Sequence, residues 1–509
     1  MLPSSFPPAA AATASPARPI PGGYGPPLLG PLRDRLDYFW FQGPEEFFRR
    51  RAAAHGSTVF RANIPPAFPF VGGGRIDPRV VAVVDAAAFR ALFDPALVDK
   101  RDVLIGPYNP GVGFTGGTRV GVYLDTEEAE HERTKAFSME LLHRGARVWA
   151  AEFHAAVDDM LNAVDDELLL KVKEKKNQSN EATVGFVAAL QRCLFRFLCK
   201  ALVGADTSAD PFVDKNGFLI LDAWLALQLT PTQKIGLLPQ PLEEIFLHSF
   251  PLPSLLVSPF YNRLYRFVEE HGAEAVSIGE KEYGLSKKDA INNVLFVLGF
   301  NAFGGFSVFL PFLLADIGKP GDPTGLRQRL RQEVRQVLLA SSSSAAAAGQ
   351  GAGQGESSST IGFSAVREMP LLRSTVYEVL RMRPPVPLQF GRARNDFVLR
   401  SHHDDAFAVN KGDLLCGYQP LAMRDAKVFH RPDEFVPERF LGDQGQQLLQ
   451  YLYWSNGPQT SQPDTGNKQC AAKDAVVDTA CMLIAHMFRR YDDFEVDGIS
   501  FTKLQKRST

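Results

Sequence analysis

The chain has 509 residues, of which 45% are hydrophobic and 22% charged, a composition typical of a globular protein with a large core. A formal net charge of −2 and the lack of any Lys/Arg-rich block exclude a dedicated nucleic-acid-binding surface. The five cysteines are scattered and lack zinc-site spacing, which excludes a disulfide framework and indicates a reducing compartment.

A tail rich in Pro, Ala and Ser occupies residues 1–30 and contains no acidic residue. It lacks the apolar segment of a secretory signal, and its repeated prolines prevent a regular helix. Two interpretations stay open. The tail is either a short plastid transit peptide or a plain disordered segment, and its single basic residue, Arg18, supports the second at least as well. We assign residues 31–509 to one domain.

The middle of the chain has the apolar period of helices. Residues 125–320 repeat apolar side chains at intervals of three and four, whereas 56–86 and 397–420 contain short β-type runs. These patterns predict a mainly helical fold with small sheets near each end. Between two amphipathic helical segments lies a Ser/Ala/Gly tract, which we predict to be a low-complexity loop inserted at about residues 341–360.

One long segment, Ala290–Ala315, contains no charged residue. Its length and composition pass the simple test for a membrane-spanning helix. Three asparagines, three glycines and Pro311 argue against that interpretation. A helix that is apolar on all sides also occurs at the centre of large soluble proteins. We therefore expect a core helix.

Three motifs follow in order towards the C-terminus. Glu378 and Arg381 lie three residues apart on one helical face, Arg439 belongs to DEFVPERFLG, and Cys470 stands alone in GNKQCAAKD. Each motif is weak by itself, because such a Glu–Arg pair is commonly an exposed ion pair. A lone cysteine is likewise commonly a small buried apolar residue. Their order and distances together are specific.

This order resembles the haem-thiolate cytochrome P-450 superfamily. The resemblance implies a cytochrome P-450-like fold with a haem b cofactor and Cys470 as the axial iron ligand. A thiolate ligand pushes electron density onto iron and favours cleavage of an O–O bond. The resemblance also implies a buried network beneath the haem, formed by Glu378, Arg381 and Arg439.

The chain departs from the usual pattern of this superfamily in two places. Around the cysteine, the customary Phe, Arg and Gly are replaced by Pro463, Lys468 and Ala472. The charge-free segment contains GFNAFGG, without the acid and alcohol that relay protons to dioxygen in monooxygenases. Activation of dioxygen should fail without that relay. A substrate that already contains an O–O bond needs neither the relay nor NADPH and a reductase.

The same departures characterise one branch of the superfamily. The segments NKQCAAKD, FNAFGG, WSNGPQT and PPVPLQFGRAR resemble the plant fatty-acid hydroperoxide enzymes, the allene oxide synthases and hydroperoxide lyases. The resemblance extends from about Pro19 to Arg507 and leaves out only the extreme N-terminus and the Ser/Ala/Gly tract.

The resemblance implies roles for further residues. Asn301 in FNAFGG matches an asparagine held close to the substrate peroxide, which its amide can orient. The alternative for Asn301 is a core or helix-kink amide. Surface lysines are usually only solvated, but in this branch cationic contacts to the haem propionates fall on Lys100, His131, Lys135 and Lys468.

The position that decides the product in this branch falls on Leu104, in KRDVLIGPYNPG. Allene oxide synthases carry phenylalanine there and lyases carry leucine. An aromatic ring can stabilise a carbon radical and favour its oxidation to an allene oxide. An aliphatic side chain instead allows rearrangement to a hemiacetal, which falls apart into an aldehyde and an oxo-acid. A leucine that only fills a pocket wall is the plain alternative.

We predict a lyase that acts on polyunsaturated C18 fatty-acid hydroperoxides, without nucleic acid or a reductase as partner. The nearest alternative is an allene oxide synthase or an epoxyalcohol-forming enzyme. More distant alternatives are a reductase-dependent monooxygenase, a non-catalytic haem- or lipid-binding protein and an integral membrane protein. The family favours a plastid location over the cytoplasm, with at most peripheral membrane contact. The preference between 13- and 9-hydroperoxides cannot be assigned from single residues.

Overall fold

The structure is a computed structural model that describes residues 17–65, 77–174, 183–347, 360–402 and 405–507. Its helices are α1 (Leu29–Leu36), α2 (Pro44–His55), α3 (Ala86–Phe89), α4 (Ala129–Glu174), α5 (Val187–Leu198), α6 (Pro211–Leu229), α7 (Gln240–Phe246), α8 (Ser258–His271), α9 (Ala273–Lys281), α10 (Lys287–Phe296), α11 (Gly305–Ile317), α12 (Leu326–Ala347), α13 (Phe363–Arg367), α14 (Pro370–Met382), α15 (Gln419–Ala422), α16 (Gly442–Leu448) and α17 (Lys473–Arg490). Short 3₁₀ or π-helical turns connect several of them.

Three small sheets accompany these helices in the described part of the chain. Their strands are β1 (Val59–Asn63), β2 (Arg79–Val83), β3 (Val98–Asp99), β4 (Val184–Gly185), β5 (Leu388–Ala393), β6 (Phe397–Arg400), β7 (Ala406–Val409), β8 (Leu414–Tyr418), β9 (Tyr491–Asp497) and β10 (Ser500–Lys506). The sheets have the orders β1-β2-β8-β5-β3, β4-β10-β9 and β6-β7. The predicted mainly helical fold with small sheets is confirmed.

The largest sheet joins the two ends of the chain. Strand β2 pairs antiparallel with β1, so that Val83 lies opposite Val59, and pairs parallel with β8, so that Val81 lies opposite Leu415. Strand β5 continues the sheet antiparallel to β8 and carries β3 at its edge. The chain leaves β3 at Asp99, directly before Lys100, so this sheet determines where the segment carrying Lys100 and Leu104 begins.

A single helical body runs through the centre of the fold from Lys287 to Ile317, as α10, a π-helical stretch Val297–Gly304 and α11. It is long and apolar enough to cross a membrane, and 56% of its most apolar window is buried inside the protein. It packs against α5, α6, α9, α14 and α17. The charge-free segment of the sequence is thus the helix around which the others pack.

Two boundaries differ from the sequence-based expectations. Residues 17–28 are attached to the fold, because the N–H of Arg18 donates to the carbonyl of Ala406 at 2.8 Å and α1 already begins at Leu29. Helix α12 continues to Ala347, past the predicted start of the inserted loop, because Ala and Ser can extend a helix at little cost. The rest of that prediction, residues 348–359, lies outside the described residues.

Candidate functional site

Cys470 lies in the loop that leads into α17. Its N–H donates to the carbonyl of Ser455 at 2.8 Å, and its carbonyl accepts from the N–H of Lys473, the first residue of α17, at 3.2 Å. Cys470 as a residue is partly exposed, whereas the other cysteines, Cys193, Cys199, Cys416 and Cys481, are all buried. Cys470 is thus the cysteine whose side chain a ligand could reach.

The surroundings of Cys470 partly offset the effect of burial on its thiol. Burial raises the pKa of Cys470, but the N–H of Ala472 and the ammonium groups of Lys135 and Lys473 favour the thiolate and act to lower that pKa. At Cys416, burial raises the pKa and no group opposes it. A thiolate that binds a metal needs positive charge nearby, whereas a cysteine with a purely structural role does not need it.

Side-chain amides brace the long loop that precedes the cysteine. The amide of Asn456 donates to the carbonyl of Lys468 at 2.8 Å, and that of Gln469 donates to the carbonyl of Pro458 at 2.7 Å. Gln469 is buried and also reaches the hydroxyl of Ser455 at 3.2 Å. These bonds hold the backbone directly before Cys470. Sequence reasoning did not identify Gln469 or Asn456, since amides in a loop have no distinguishing pattern.

The predicted cationic residues meet beside this loop. The ammonium group of Lys135 donates to the carbonyl of Gln469, and that of Lys468 donates to the carbonyls of Gly121 and Leu124, each at 2.8 Å. Lys100 is buried and its ammonium group donates to the carbonyl of Phe390. Among the described residues, no carboxylate forms an ion pair with Lys100, His131, Lys135 or Lys468.

Burial and mutual repulsion act on these cationic groups. Burial, followed by repulsion from Lys135 and Lys100, lowers the pKa of Lys468 to about 7. Burial lowers the pKa of Lys100 to about 7. Burial and repulsion from Lys468 and Lys135 lower the pKa of His131 to about 4.

In the described part of the chain no carboxylate forms an ion pair with this cluster, and the nearby Asp125 is itself paired with Arg394. The Nδ1 atom of His131 is buried without a hydrogen-bond partner in the described part of the chain. The two propionate carboxylates of a haem would supply both the missing negative charge and the missing partner. The residues present therefore fit a haem, which Cys470 would hold at its iron and this cluster at its propionates.

Asn301 lies in the π-helical stretch of the central helix. Its side chain is exposed and forms no hydrogen bond with any described residue, so its amide is available to a ligand. Short π-helical stretches within α-helices are frequent at functional sites, because the extra residue per turn redirects side chains. The neighbouring Phe303 is fully buried and fixes the helix in the core.

Leu104 lies on a turn shortly after β3, half-buried against the main hydrophobic core. The turn is held close to β5, since a Cβ on Gly106 would lie only 2.3 Å from the ring of Phe390. Gly106 has a φ of +66°, a conformation that favours glycine. The turn carrying Leu104 is consequently tied to the same strand that accepts Lys100.

Glu378, Arg381 and Arg439 form a buried cluster away from the cationic residues. Glu378 and Arg381 are 0% exposed, and the Nε atom of Arg381 lies 2.7 Å from a carboxylate oxygen of Glu378. The Nε atom of Arg439 donates to both oxygens of Glu378 at 3.0 Å. Arg381 also donates to the carbonyls of Met423, Pro432 and Glu434. The cluster thereby ties α14 to the irregular segment between α15 and α16.

The structure brings only some of the predicted residues together. Cys470 and Lys468 lie in the loop before α17, Lys135 contacts that loop from α4, and His131 and Lys100 complete the cationic cluster around it. Asn301 and Leu104 form no hydrogen bond with that cluster. They lie on the central helix and on the 100–125 segment.

Comparison with known proteins identifies relatives along almost the whole chain. The profile of the family described as Cytochrome P450 matches residues 324–460. The chain is 50% identical over 491 residues to the chloroplastic linolenate hydroperoxide lyase of Arabidopsis thaliana, covering 96% of this chain and 93% of that protein. It is 46% identical over 493 residues to the chloroplastic fatty acid hydroperoxide lyase of Solanum lycopersicum, covering 97% of each. The chloroplastic allene oxide synthase of Arabidopsis thaliana is 39% identical over 501 residues, covering 97% of this chain and 90% of that protein.

Proposed function

The chain belongs to the cytochrome P450 family, in its plant branch of hydroperoxide lyases and allene oxide synthases, and from this premise we propose that it is a fatty-acid hydroperoxide lyase. The observation that carries the proposal is the identity of 50% and 46% to two lyases against 39% to an allene oxide synthase, each over nearly the full chain. The substrate class is a polyunsaturated C18 hydroperoxide, cleaved into a short aldehyde and an oxo-acid.

The cofactor of the family is haem with a cysteine-thiolate ligand, and when bound it supplies an iron that cleaves the O–O bond of the hydroperoxide. Cys470 is the proposed thiolate. The N–H of Ala472 and the charges of Lys135 and Lys473 favour its ionised form. Lys100, His131, Lys135 and Lys468 would hold the propionates, because each is cationic or able to donate a hydrogen bond and none forms an ion pair with a carboxylate in the described chain.

Asn301 is the proposed orienting residue for the peroxide. Its amide can donate to one peroxide oxygen and accept from the hydroperoxide O–H, which limits the rotation of the reacting group. Leu104, on the 100–125 segment, is the proposed side chain that forms the wall of the substrate pocket. An aliphatic side chain there offers no aromatic π-system to a substrate radical, so rearrangement proceeds in preference to oxidation.

The proposed reaction needs no reductase. Rearrangement and cleavage of a hydroperoxide into an aldehyde and an oxo-acid conserve all atoms and electrons of the substrate. The central helix has no acid or alcohol between Val297 and Phe306, so it offers no side-chain relay to dioxygen. Both points favour a lyase over a monooxygenase.

The test is anaerobic incubation of the purified haem-loaded protein with linolenic acid 13-hydroperoxide and no reductant, followed by mass spectrometry. We expect a C6 aldehyde and a C12 oxo-acid. Ketols and a cyclopentenone would instead identify an allene oxide synthase. Unchanged 13- and 9-hydroperoxides would refute both functions. Cys470→Ser should abolish the reaction and the thiolate-type Soret shift on carbon monoxide binding, whereas Cys481→Ala should retain both.

The protein acts in the chloroplast, the compartment named for both lyase relatives, in peripheral contact with a membrane. Support for the membrane contact comes from an apolar surface formed by Leu28, Leu29, Phe41, Leu237, Leu238, Leu242, Ile245 and Phe246, all more than a third exposed. Trp40 joins the two parts of this surface, since its indole donates to Glu244 at 2.7 Å and its ring lies 4.5 Å from the ammonium of Lys234. Apolar side chains with a Trp and a Lys between them suit a lipid–water interface.

A further inference from the structure

A single segment links the cationic cluster to Leu104. Residues 100–125, here called the strap, begin at Lys100, and near their end Gly121 and Leu124 accept hydrogen bonds from Lys468. Leu104 lies near the start of the strap. The position of the strap therefore decides where Leu104 stands relative to the rest of the site.

Three buried side chains connect the middle of the strap to the central helix and α8. The amide of Asn292, on α10, donates to the hydroxyl of Thr118 at 3.0 Å and accepts from the hydroxyl of Tyr261, on α8, at 2.8 Å. The hydroxyl of Thr118 donates to Asp289 at 2.8 Å. Asn292 is 0% exposed, and Thr118 and Tyr261 are 5% exposed. Hydrogen bonds in such a buried place are costly to break, because water cannot readily replace them.

The backbone of the strap lies so close to α10 that a side chain larger than that of glycine would not fit between them at one position. Gly116 has a φ of +61°, and a Cβ there would lie 2.7 Å from the amide oxygen of Asn292. Two further bonds hold the strap: the amide of Asn293 accepts from the N–H of Gly121 at 3.1 Å, and the indole of Trp224 donates to the carbonyl of Phe114 at 2.8 Å.

The same helix carries Asn301. Nine residues separate Asn301 from Asn292, or about 13 Å along a helix that rises about 1.5 Å per residue. The part between them is packed, since Phe296 stacks on Phe300 at 4.8 Å and both rings contact Trp224. This packing keeps Asn292 and Asn301 in a fixed relative position, so the bonds between the strap and Asn292 also fix the strap relative to Asn301.

We propose that Thr118, Asn292 and Tyr261 are positioning residues that hold the strap against α10 and thereby set the position of Leu104 relative to Asn301. The inference rests on the proposed function, in which Asn301 orients the peroxide and Leu104 forms a wall beside the substrate radical. The partition of that radical between rearrangement and oxidation depends on how closely the wall confines it. A looser strap should let more of the radical return an electron to the iron that would cleave the O–O bond and lose a proton, so that allene oxide and water form instead of the hemiacetal.

Thr118→Val tests the proposal, because it keeps the shape of the side chain and removes the hydroxyl that bonds to Asn292 and Asp289. Thr118→Ser restores the hydroxyl. The matched control is Thr207→Val, which removes another buried threonine hydroxyl that bonds to an aspartate, Asp214, at 2.5 Å and not to the strap.

Two measurements are made on each haem-loaded variant. Hydrogen exchange of the amides of residues 112–121 should be several-fold faster in Thr118→Val than in the wild type, Thr118→Ser and Thr207→Val. The share of ketol among the products should rise several-fold in Thr118→Val alone. If Thr118→Val does not bind haem, Tyr261→Phe, which loses one hydrogen bond and keeps its ring, replaces it in both measurements.

Unchanged exchange in residues 112–121 would overturn the proposed connection. Faster exchange with unchanged products would overturn its effect on Leu104. Failure of the proposed function is recognised separately, because the wild type would then form no aldehyde while the exchange measurement would still report on the strap.

Discussion

Lys100 carries a charge that the protein alone does not balance. Its side chain is buried, its ammonium donates to a carbonyl, and its backbone N–H donates to Asp125 at 2.7 Å. Burial therefore dominates and lowers its pKa from 10.5 to about 7. The unfolded chain binds the proton more tightly than the folded chain does, so below about pH 7 the buried charge destabilises the haem-free protein fully. The penalty disappears as the pH rises towards 10.5.

Lys100→Met should accordingly stabilise the haem-free protein at pH 6, on the order of 1 kcal/mol after the lost bond to Phe390 is counted. The gain should vanish near pH 10 and shrink once haem is bound, because a propionate then pairs with the lysine. Urea unfolding of both proteins at pH 6 and pH 10 measures this difference. A gain that did not depend on pH would contradict the assigned cause. Exposed Lys411→Met provides the control.

Leu104→Phe should shift the products from aldehyde and oxo-acid towards ketols, while the haem spectrum stays unchanged. The reason is that an aromatic ring in place of the aliphatic wall can stabilise the substrate radical long enough for oxidation. Product analysis by mass spectrometry measures the shift. Leu97→Phe makes the same exchange at another partly buried position beside the core and should leave the products unchanged. An equal shift in both variants would mean that general crowding, not position 104, decides the product.

At the scale of elements, helix α14 is attached to the rest of the fold by charge. The carboxylate of Glu378 faces two guanidinium groups, and burial lowers the pKa of Arg439. Phe429 lies beneath both guanidinium groups. The centroid of its ring is 5.1 Å from the Cζ atom of Arg381 and 5.9 Å from that of Arg439. Because all three charges are shielded from water, removing one leaves the others without compensation.

Glu378→Gln should therefore lower the free energy of unfolding by roughly 3–5 kcal/mol. Denaturant unfolding, monitored by the haem absorbance and by circular dichroism, measures the loss. Glu45→Gln removes a carboxylate that also faces two arginines, Arg49 and Arg424, but is 42% exposed. That control should cost at most about 1 kcal/mol. Equal losses in the two variants would show that burial does not amplify the Glu378 cluster.

At the scale of the whole molecule, the apolar surface joins the N-terminal helix region to the segment around α7. The two parts are connected by a buried cluster in which His248 stacks on Phe39 at 4.3 Å and its ring lies 2.9 Å from Glu244. The exposed leucines of the two parts therefore belong to one solvent-facing apolar surface. Leu29 is 67% and Leu237 is 80% exposed.

Replacing Leu29 and Leu237 together by Asp should reduce binding to neutral phosphatidylcholine vesicles at least roughly tenfold, since each buried leucine contributes about 1.5–3 kcal/mol. Vesicle flotation measures the bound fraction. Ile499→Asp changes an equally exposed side chain, 61% accessible, outside the apolar surface and should bind like the wild type. Binding of the double variant at the wild-type level would refute the membrane contact.

Much of this protein could be predicted from its sequence. The apolar period identified the helices, and the order of Glu378, Arg439 and Cys470 identified the family, because both signals are local or depend only on order along the chain. The resemblance to the branch also pointed to the cationic side chains, whose residue type suits the carboxylates of a cofactor. The roles assigned to Cys470, Asn301 and Leu104 stay predictions.

Other features depend on contacts between distant segments and have no local signal. The pairing of Val81 with Leu415 joins strands from opposite ends of the chain, and the sheet it builds fixes the start of the strap. The amide of Gln469 braces the cysteine loop, and that of Asn292 holds Thr118, through bonds across 11 and 174 residues. A periodic pattern records which face of an element is buried but not which element covers it. The sequence by itself thus determined the chemistry available to the site, whereas tertiary packing alone decided that Lys100, His131, Lys135 and Lys468 surround one loop and, among the described residues, form no ion pair with a carboxylate.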